Sequence, residues 1–245
     1  MPKWLLIAGT RCADPARETE FNDWYHGTHI PDILNVPGFM KGSRYEGATM
    51  SATQYCPEED EARYLAFYEI ESEDIGQTIK DMRDFAGKLR ERGRMNPLIE
   101  MVTGAAYRQI APTYVKSKPD GEIVGRNNVK PVWVFMVHGI CADPAREQEF
   151  NEWYDIVHIP DITQTPGFAR VTRYELSVVT RHNKPEGGPT KFLAIYEIEA
   201  EDIDQTMASM RVIGKGLREQ GRMSPLYQSG GSRIYRQILP PIFKQ

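Results

Sequence analysis

Residues 12–33 read CADPARETEFNDWYHGTHIPDI, and residues 141–162 read CADPAREQEFNEWYDIVHIPDI. The two stretches differ at five positions and lie at an offset of 141 − 12 = 129 residues. The match continues outward, because a Pro-Gly-Phe segment, an Arg-Tyr-Glu segment and, at an offset of 128, a Tyr-Arg-Gln-Ile segment each occur twice. This correspondence predicts that the chain is a tandem duplication of one module.

The period of the repeat sets the size of the module. It is far longer than the ~20–50 residues of solenoid repeats, so each copy is expected to be a domain. We predict a first unit at residues 1–111, a linker at 112–131 and a second unit at 132–245. The predicted linker is rich in Pro, Gly, Lys and Asn and has no apolar periodicity.

Each unit begins with a strand and a helix. The run Trp4–Ala8 is typical of a buried strand. Asp14 and Pro15 are typical of a helix N-cap followed by proline in the first turn. We expect the helix to end at Pro31 and the following Pro-Gly turn. One face of this helix carries apolar and aromatic residues at helical spacing, namely Phe21, Trp24, Tyr25 and Thr28.

The rest of the unit predicts two strands, a second helix and a last strand. These elements are expected at 40–47, at 64–71, from Glu73 or Asp74 to about Gly93, and at 98–110. The order is βαββαβ, the split βαβ arrangement of the ferredoxin-like fold. Such a unit has helices on one face of its sheet only, so the other face must be covered, and two copies can cover each other.

The doubled Phe-Asn-x-Trp-Tyr…His-Ile-Pro-Asp-Ile motif, with its Pro-Gly-Phe and Arg-Tyr-Glu segments, resembles the EthD-like branch of the dimeric α/β-barrel superfamily. The resemblance implies an α+β fold in which tandem ferredoxin-like units form an intramolecular dimeric α/β barrel. It leaves the chemistry open, because the superfamily includes cofactor-free monooxygenases, polyketide cyclases, isomerases, haem enzymes and members without known activity.

Composition excludes several classes of partner. The net charge is 30 − 34 = −4, and no Lys/Arg cluster offers a surface for nucleic acid. No segment reaches the ~20 apolar residues that span a bilayer, and the apolar N-terminal run is too short for a signal peptide. Three cysteines, Cys12, Cys56 and Cys141, favour a reducing cytoplasmic setting over a disulfide scaffold. The expected partner is a small molecule, and further homo-oligomerisation stays open.

The repeated histidines are the first candidates for chemistry. His29 and His158 continue the inward face of the first helix of each unit. A histidine there can act as a general acid or base near neutral pH. The alternative is that each imidazole only fixes the turn to the following proline.

The two units differ next to these histidines. Asp155 lies three residues before His158 and could meet it on one helical face, whereas the first unit has His26 there. We therefore expect the two sites to be inequivalent. His26 and His29, with Asp32 or Glu46, also permit a metal site, although we predict none. His138 replaces Gly9 of the first unit and could enter the second site.

Further candidates could bind a substrate. Arg44 and Arg173 lie on a strand, where each could hold a carboxylate or phenolate; the alternative is an ion pair with Glu46, Glu69 or their repeat equivalents. Aromatic side chains could line an apolar pocket, and those we select are Trp24, Tyr25, Tyr68, Trp153, Tyr154 and Tyr196.

These features predict a cofactor-independent acid/base enzyme. It would be an isomerase, lyase, dehydratase or cyclase that acts on a small apolar or aromatic substrate in a barrel pocket. His29 and His158 would be the acid/base residues, assisted by His26 and Asp155. The alternatives are a cofactor-free monooxygenase and a non-catalytic ligand-binding or stress-response module. The sequence has no Gly-rich phosphate loop, dinucleotide fingerprint or Ser-centred nucleophile motif.

Overall fold

A computed structural model describes residues 1–59, 61–116, 131–182 and 190–245. The first unit follows the predicted order of elements. Its elements are β1 (Lys3–Cys12), α1 (Glu18–Trp24), α2 (Ile30–Ile33), β2 (Phe39–Gly47), β3 (Tyr64–Glu71), α3 (Ile75–Glu91) and β4 (Ile99–Gln109). The second unit has the same order after a two-residue strand, β5 (Tyr114–Val115). Its elements are β6 (Val132–Cys141), α4 (Glu147–Trp153), α5 (Ile159–Ile162), β7 (Phe168–His182), β8 (Phe192–Glu199), α6 (Ile203–Glu219) and β9 (Tyr227–Phe243).

The long strands form one closed antiparallel barrel. Their order is β4-β1-β3-β2-β9-β6-β8-β7, and β7 pairs back with β4. Within each unit the order is that of the ferredoxin-like sheet. The units join through β2 with β9 and β4 with β7. The predicted α+β class and the mutual covering of the two sheets are therefore confirmed.

Alternation along the strands separates two kinds of core. One face of the strands points into the barrel, where apolar side chains of both units pack together, among them Leu5, Ile7, Phe67, Val134, Met136 and Ile195. The other face packs against the helices of its own unit and forms a separate core in each. The barrel interior is therefore filled by side chains, and each unit has a second core between its helices and its sheet.

The first helical segment differs from the sequence prediction. Asp14 caps a 3₁₀ turn through its side chain, which accepts a hydrogen bond from the Ala16 N–H at 3.0 Å. The segment does not end at Pro31, because a π turn at Tyr25–His29 connects α1 to α2. In this turn the Ile30 N–H donates to the Tyr25 carbonyl, one residue further back than in an α-helix. The wider turn lets the helical segment continue through Pro31. In a regular α-helix the missing N–H of this proline would interrupt the series of backbone hydrogen bonds.

The second helices match the sequence more closely. Asp74 caps α3 by accepting from the Gln77 N–H at 3.0 Å, and the helix ends next to Gly93 at a φ of 67°. Asp202 caps α6 in the same way through the Gln205 N–H at 2.9 Å. No helix in the described residues is both long and apolar enough to cross a bilayer.

The predicted linker at 112–131 is described only at its two ends. Tyr114–Val115 adds a short strand to the outer edge of β7, pairing with Val171 and Arg170. Residues 117–130 of the predicted linker lie outside the described residues.

Candidate functional site

The predicted site residues converge between the first helical segment and the sheet of each unit. Arg44 and Tyr68 lie on the helix-facing side of β2 and β3, whereas Tyr45 and Phe67 next to them face the barrel interior. The candidate site of each unit therefore lies between its sheet and its helices, as the sequence predicts, and it is outside the barrel wall, under the π turn.

The π turn places the histidine against the two aromatic residues before it. The ring of His29 stacks on Trp24 with centroids 5.0 Å apart and meets the edge of Tyr25 at 4.7 Å. In the second unit His158 stacks on Trp153 at 5.0 Å and meets Tyr154 at 4.8 Å. The indole N–H groups face away from the site, since Trp24 donates to the Arg94 carbonyl and Trp153 to the Arg222 carbonyl.

Burial keeps both imidazoles neutral near pH 7. His29 is 8% exposed, and its burial, together with the charge of Arg44, lowers its pKa to about 4 against the opposing effect of Asp32. Burial likewise lowers the pKa of His158 to about 4. The Nδ1 atom of each ring is buried without a hydrogen-bond partner. An imidazole that only fixed a turn through this nitrogen would have a partner there.

Arg44 is a buried cation without a carboxylate. It is 1% exposed, and its Nη2 donates to the Asn22 Oδ1 at 2.7 Å. Its guanidinium carbon lies 3.7 Å from the centroid of the Tyr25 ring. The buried Nε and Nη1 atoms make no hydrogen bond of regular geometry, although the Tyr25 side chain also interacts with the guanidinium. Burial lowers the pKa of this guanidinium.

The alternative ion pairs of Arg44 do not form among the described residues. Glu46 binds Arg63, and Glu69 binds Lys41. The charge of Arg44 is therefore available to another partner.

Arg173 has the carboxylate that Arg44 lacks. Its Nη1 donates to the Asp155 Oδ1 at 3.1 Å, and its Nη2 donates to the Asn151 Oδ1 at 2.6 Å. The expectation that Asp155 pairs with His158 is wrong, because the carboxylate turns to Arg173 instead. The π turn explains the difference: it has more residues per turn than an α-helix, so positions three apart no longer lie above one another.

The buried tyrosine hydroxyls, like the arginines, are hydrogen-bonded more completely in the second unit than in the first. The hydroxyls of Tyr154 and Tyr196 lie 3.1 Å apart and form a hydrogen bond. In the first unit the buried hydroxyl of Tyr68 interacts with that of Tyr25, but no hydrogen bond of regular geometry joins them. Burial raises the pKa of Tyr68 well above its usual range, so this hydroxyl stays protonated.

His26 stands where the second unit has Asp155. Its Nδ1 is buried without a partner, and burial and the charge of Arg44 lower its pKa. With Arg44, Tyr68 and His29, it gives the first unit a cluster of buried side chains in which some polar atoms make no regular hydrogen bond. The second unit has most of the equivalent groups paired.

Three residues at or near these sites were not singled out from the sequence. Asn22 and Asn151 hold the two arginines, and their presence in both copies of the doubled motif was the available signal. The third is Tyr227, whose ring stacks on that of His158 with centroids 6.2 Å apart. The equivalent residue of the first unit is Ile99.

His138 does not enter the second site. It lies on the barrel side of β6 with Val134 and Met136, and its Nδ1 is 3.2 Å from the Thr190 hydroxyl. Burial lowers its pKa to about 4.

The residues around His29 do not form a metal site. Asp32 binds Arg94 and Glu46 binds Arg63, and no group of three potential ligands forms in the described part of the chain. The side chains between this helical segment and the sheet are closely packed, including Phe21, Tyr25, Phe39, Tyr64 and Tyr68.

Neither a family model nor a curated protein matches the chain. Solved structures match almost all of it. An anthrone oxidase-like protein aligns with a TM-score of 0.57 at 14% identity, covering 99% of this chain and 93% of that one. A candidate monooxygenase from Fusobacterium nucleatum subsp. nucleatum aligns with a TM-score of 0.51 at 15% identity, covering 99% and 94%. A candidate chlorite dismutase aligns with a TM-score of 0.53 at 13% identity, covering 97% and 96%. The fold is therefore that of the dimeric α/β-barrel proteins, with the strands of both sheets in one chain.

Proposed function

We propose that the protein is a cofactor-independent enzyme that uses His29 and His158 as general acid/base residues. Its reaction would be that of an isomerase, lyase, dehydratase or cyclase, and its substrate would be small and apolar or aromatic. The observation that carries the proposal is the buried imidazole whose Nδ1 has no partner, held against an aromatic wall in each unit. Buried groups with perturbed pKa values and unpaired polar atoms are concentrated at functional sites.

The chemistry follows from the state of the imidazole. With a pKa of about 4, His29 is neutral at physiological pH and can accept a proton from a substrate carbon or hydroxyl. The nearby Arg44 and the protonated hydroxyl of Tyr68 can hold the oxygen on which negative charge develops. A positioned general base contributes ~10²–10⁴-fold to a rate when its pKa lies near the working pH, and negative charge that develops on the substrate would raise the pKa of His29 toward that range.

Proton transfer can be tested before the product is known. The protein is incubated in D₂O with a panel of phenols, aromatic acids and enones, and loss of substrate C–H signals is followed by proton NMR. We expect exchange with one class, and a loss of ~10²–10⁴-fold in its rate when the reacting histidine is replaced by glutamine.

The repeat provides the matched controls for this experiment. His29→Gln and His158→Gln change equivalent positions. If His29→Gln loses exchange, the first unit reacts, and if His158→Gln loses exchange, the second unit reacts. The proposal is overturned if the double variant exchanges substrate protons as fast as the parent protein.

A second candidate is a cofactor-free monooxygenase that uses the same space. It is favoured by two structural neighbours, one anthrone oxidase-like and one a candidate monooxygenase. Oxygen uptake during turnover of a phenol would support it, and proton exchange without oxygen uptake would support the first candidate.

The third candidate is a binding module without catalysis, with the duplicated residues serving only the fold. It predicts that replacing His29 or His158 lowers the free energy of unfolding while no panel compound is altered. Thermal unfolding of the two glutamine variants, measured beside the exchange experiment, separates this candidate from the enzymes.

We also propose that the chain arose by tandem duplication within the EthD-like branch. Residues 1–111 and 132–245 would be the two modules, and residues 112–131 would connect them. Each module would supply the partner that a single-module relative obtains by dimerising. The free state of Cys12, Cys56 and Cys141 supports a cytoplasmic location. The partner would be the small-molecule substrate, without nucleic acid or membrane.

A further inference from the structure

The two units differ in the charge beside their buried arginines. In the second unit the Asp155 carboxylate binds Nη1 of Arg173. In the first unit the equivalent Nη1 of Arg44 makes no hydrogen bond of regular geometry, and His26 stands in place of the aspartate. Both arginines keep the same asparagine contact on Nη2, and Nη1 of Arg173 also donates to the Asn151 carbonyl at 3.3 Å, so the first unit lacks a carboxylate and this weaker bond.

We propose that Arg44 binds the carboxylate of a small aromatic or apolar carboxylic acid, and that Asp155 excludes such a ligand from the second unit. The inference rests on the proposed function, because it names the charged group of that enzyme's substrate and the unit that takes it.

The buried state of Arg44 supports an anionic partner. A guanidinium that is 1% exposed has lost most of its hydration, and removing a charge from water is unfavourable unless an opposite charge or hydrogen bonds replace the solvent. Asn22 satisfies one nitrogen, while Nε and Nη1 make no hydrogen bond of regular geometry. An anion at Nη1 would restore the pairing that the second unit already has.

The second unit also indicates which anion fits and how it enters. The group at Nη1 of Arg173 is a carboxylate, so the geometry around this arginine accommodates one. The Asp155 side chain is 35% exposed although Arg173 is 2% exposed, so the position beside Nη1 is reached from solvent. In the first unit that route passes His26, which is only partly buried.

The walls of the first site favour a ring or an apolar group behind the carboxylate. The Arg44 guanidinium carbon lies 3.7 Å from the Tyr25 ring centroid and 5.0 Å from that of Tyr64. The hydroxyl of Tyr68 is a further donor. An aromatic acid that entered past His26 and displaced the side chains packed there would therefore meet a cation, a hydroxyl donor and aromatic surfaces together.

The test uses benzoate as the probe and benzamide as its neutral analogue of the same shape. Binding is measured by titration calorimetry on the full chain. We expect one benzoate per chain and at least tenfold weaker binding of benzamide. Equal binding of the two compounds, or no binding of benzoate, overturns the proposal.

Exchanging the two differing residues provides matched variants. His26→Asp supplies Arg44 with the carboxylate that Arg173 has, and we expect it to weaken benzoate binding at least tenfold. Asp155→His removes the carboxylate from Arg173, and we expect two benzoates per chain. The proposal is overturned if His26→Asp binds benzoate as tightly as the parent protein, or if Asp155→His still binds one benzoate per chain. Circular dichroism confirms that both variants are folded.

One further variant separates this inference from the proposed function. If benzoate binds at Arg44 but His29→Gln with His158→Gln leaves proton exchange intact, the acid/base function fails and the carboxylate site stands. If the double variant abolishes exchange but benzoate does not bind, the carboxylate site fails and the acid/base function stands.

Discussion

The imidazole of His29 stacks on the indole of Trp24 with ring centroids 5.0 Å apart, and the Trp153–His158 pair repeats this distance. The stacking covers one face of each imidazole and holds it in a region where its charged form is poorly solvated. Burial is the largest cause of the lowered pKa of both histidines, and their charged neighbours are also equivalent, Arg44 and Asp32 in one unit and Arg173 and Asp161 in the other.

The lowered pKa values predict a loss of stability in weak acid. Each histidine has a folded pKa of about 4 and an unfolded value near 6.5, so below pH 6.5 the unfolded state binds the extra proton. Their contribution is complete above the unfolded pKa and is lost as the pH falls toward 4. For His29 the loss is at most about 3 kcal/mol, since one pKa unit corresponds to ~1.4 kcal/mol.

Urea unfolding at pH 7, 6, 5 and 4 measures this effect. We expect the free energy of unfolding to fall over that range, and to fall less in His29→Gln and His158→Gln. His138, with a pKa also about 4, contributes in the same sense, so His138→Gln serves as a comparison outside both sites. A pH profile that none of the three substitutions alters would contradict the burial of the neutral rings.

The partners of the two arginines predict unequal effects of equivalent substitutions. Asn22→Ala removes the hydrogen-bond partner that the structure shows for Arg44, whereas Asn151→Ala leaves Arg173 with Asp155. A hydrogen bond to a charged group contributes ~1.5–3 kcal/mol. We expect Asn22→Ala to lower the free energy of unfolding by about 2–3 kcal/mol and Asn151→Ala by about half as much. Denaturant unfolding at pH 7 compares them, and equal losses would show that Asp155 does not compensate Arg173.

The close approach of strands at Gly9 predicts a steric effect. A Cβ at Gly9 would lie 2.7 Å from the Cβ of Ala62 and closer still to a methyl group of Thr103. At Gly139, in the equivalent strand, an added Cβ meets its nearest atoms at 3.8 Å, an ordinary contact. Overpacking in a filled core costs ~1–3 kcal/mol. We therefore expect Gly9→Ala to lower the melting temperature by several degrees and Gly139→Ala to leave it nearly unchanged, as differential scanning calorimetry can check.

The sequence specified the order of elements because hydrophobic periodicity and cap residues are local signals. The strand at Tyr64–Glu71 and the Asp74 cap agree with the sequence prediction. The π turn was missed because Pro31 is a local signal for a helix end, whereas the turn depends on how Tyr25 and His29 pack on the sheet.

The candidate site residues were selected because they are repeated, but their contacts could not be predicted in this way. A charged side chain on a strand is expected at the surface, so the Arg-Tyr-Glu segment indicated an ion pair for Arg44 rather than a buried cation. The partner of Asp155 was mispredicted because the spacing rule assumed a regular α-helix. Both errors concern contacts between helix and sheet, which no local pattern encodes.

The hydroxyls of the third strand in each unit give a last prediction. Tyr196→Phe removes a hydrogen bond and leaves the buried hydroxyl of Tyr154 without it, which costs ~1–3 kcal/mol. Tyr68→Phe removes a buried hydroxyl that has no hydrogen bond of regular geometry, so we expect a smaller loss of stability than in Tyr196→Phe. Urea unfolding of the two variants measures the difference. If Tyr68→Phe is as destabilising as Tyr196→Phe, then its hydroxyl has a partner in the free protein, such as a buried water. If Tyr68→Phe instead keeps its stability and weakens benzoate binding, then the Tyr68 hydroxyl contributes little to the fold and forms a hydrogen bond with the ligand.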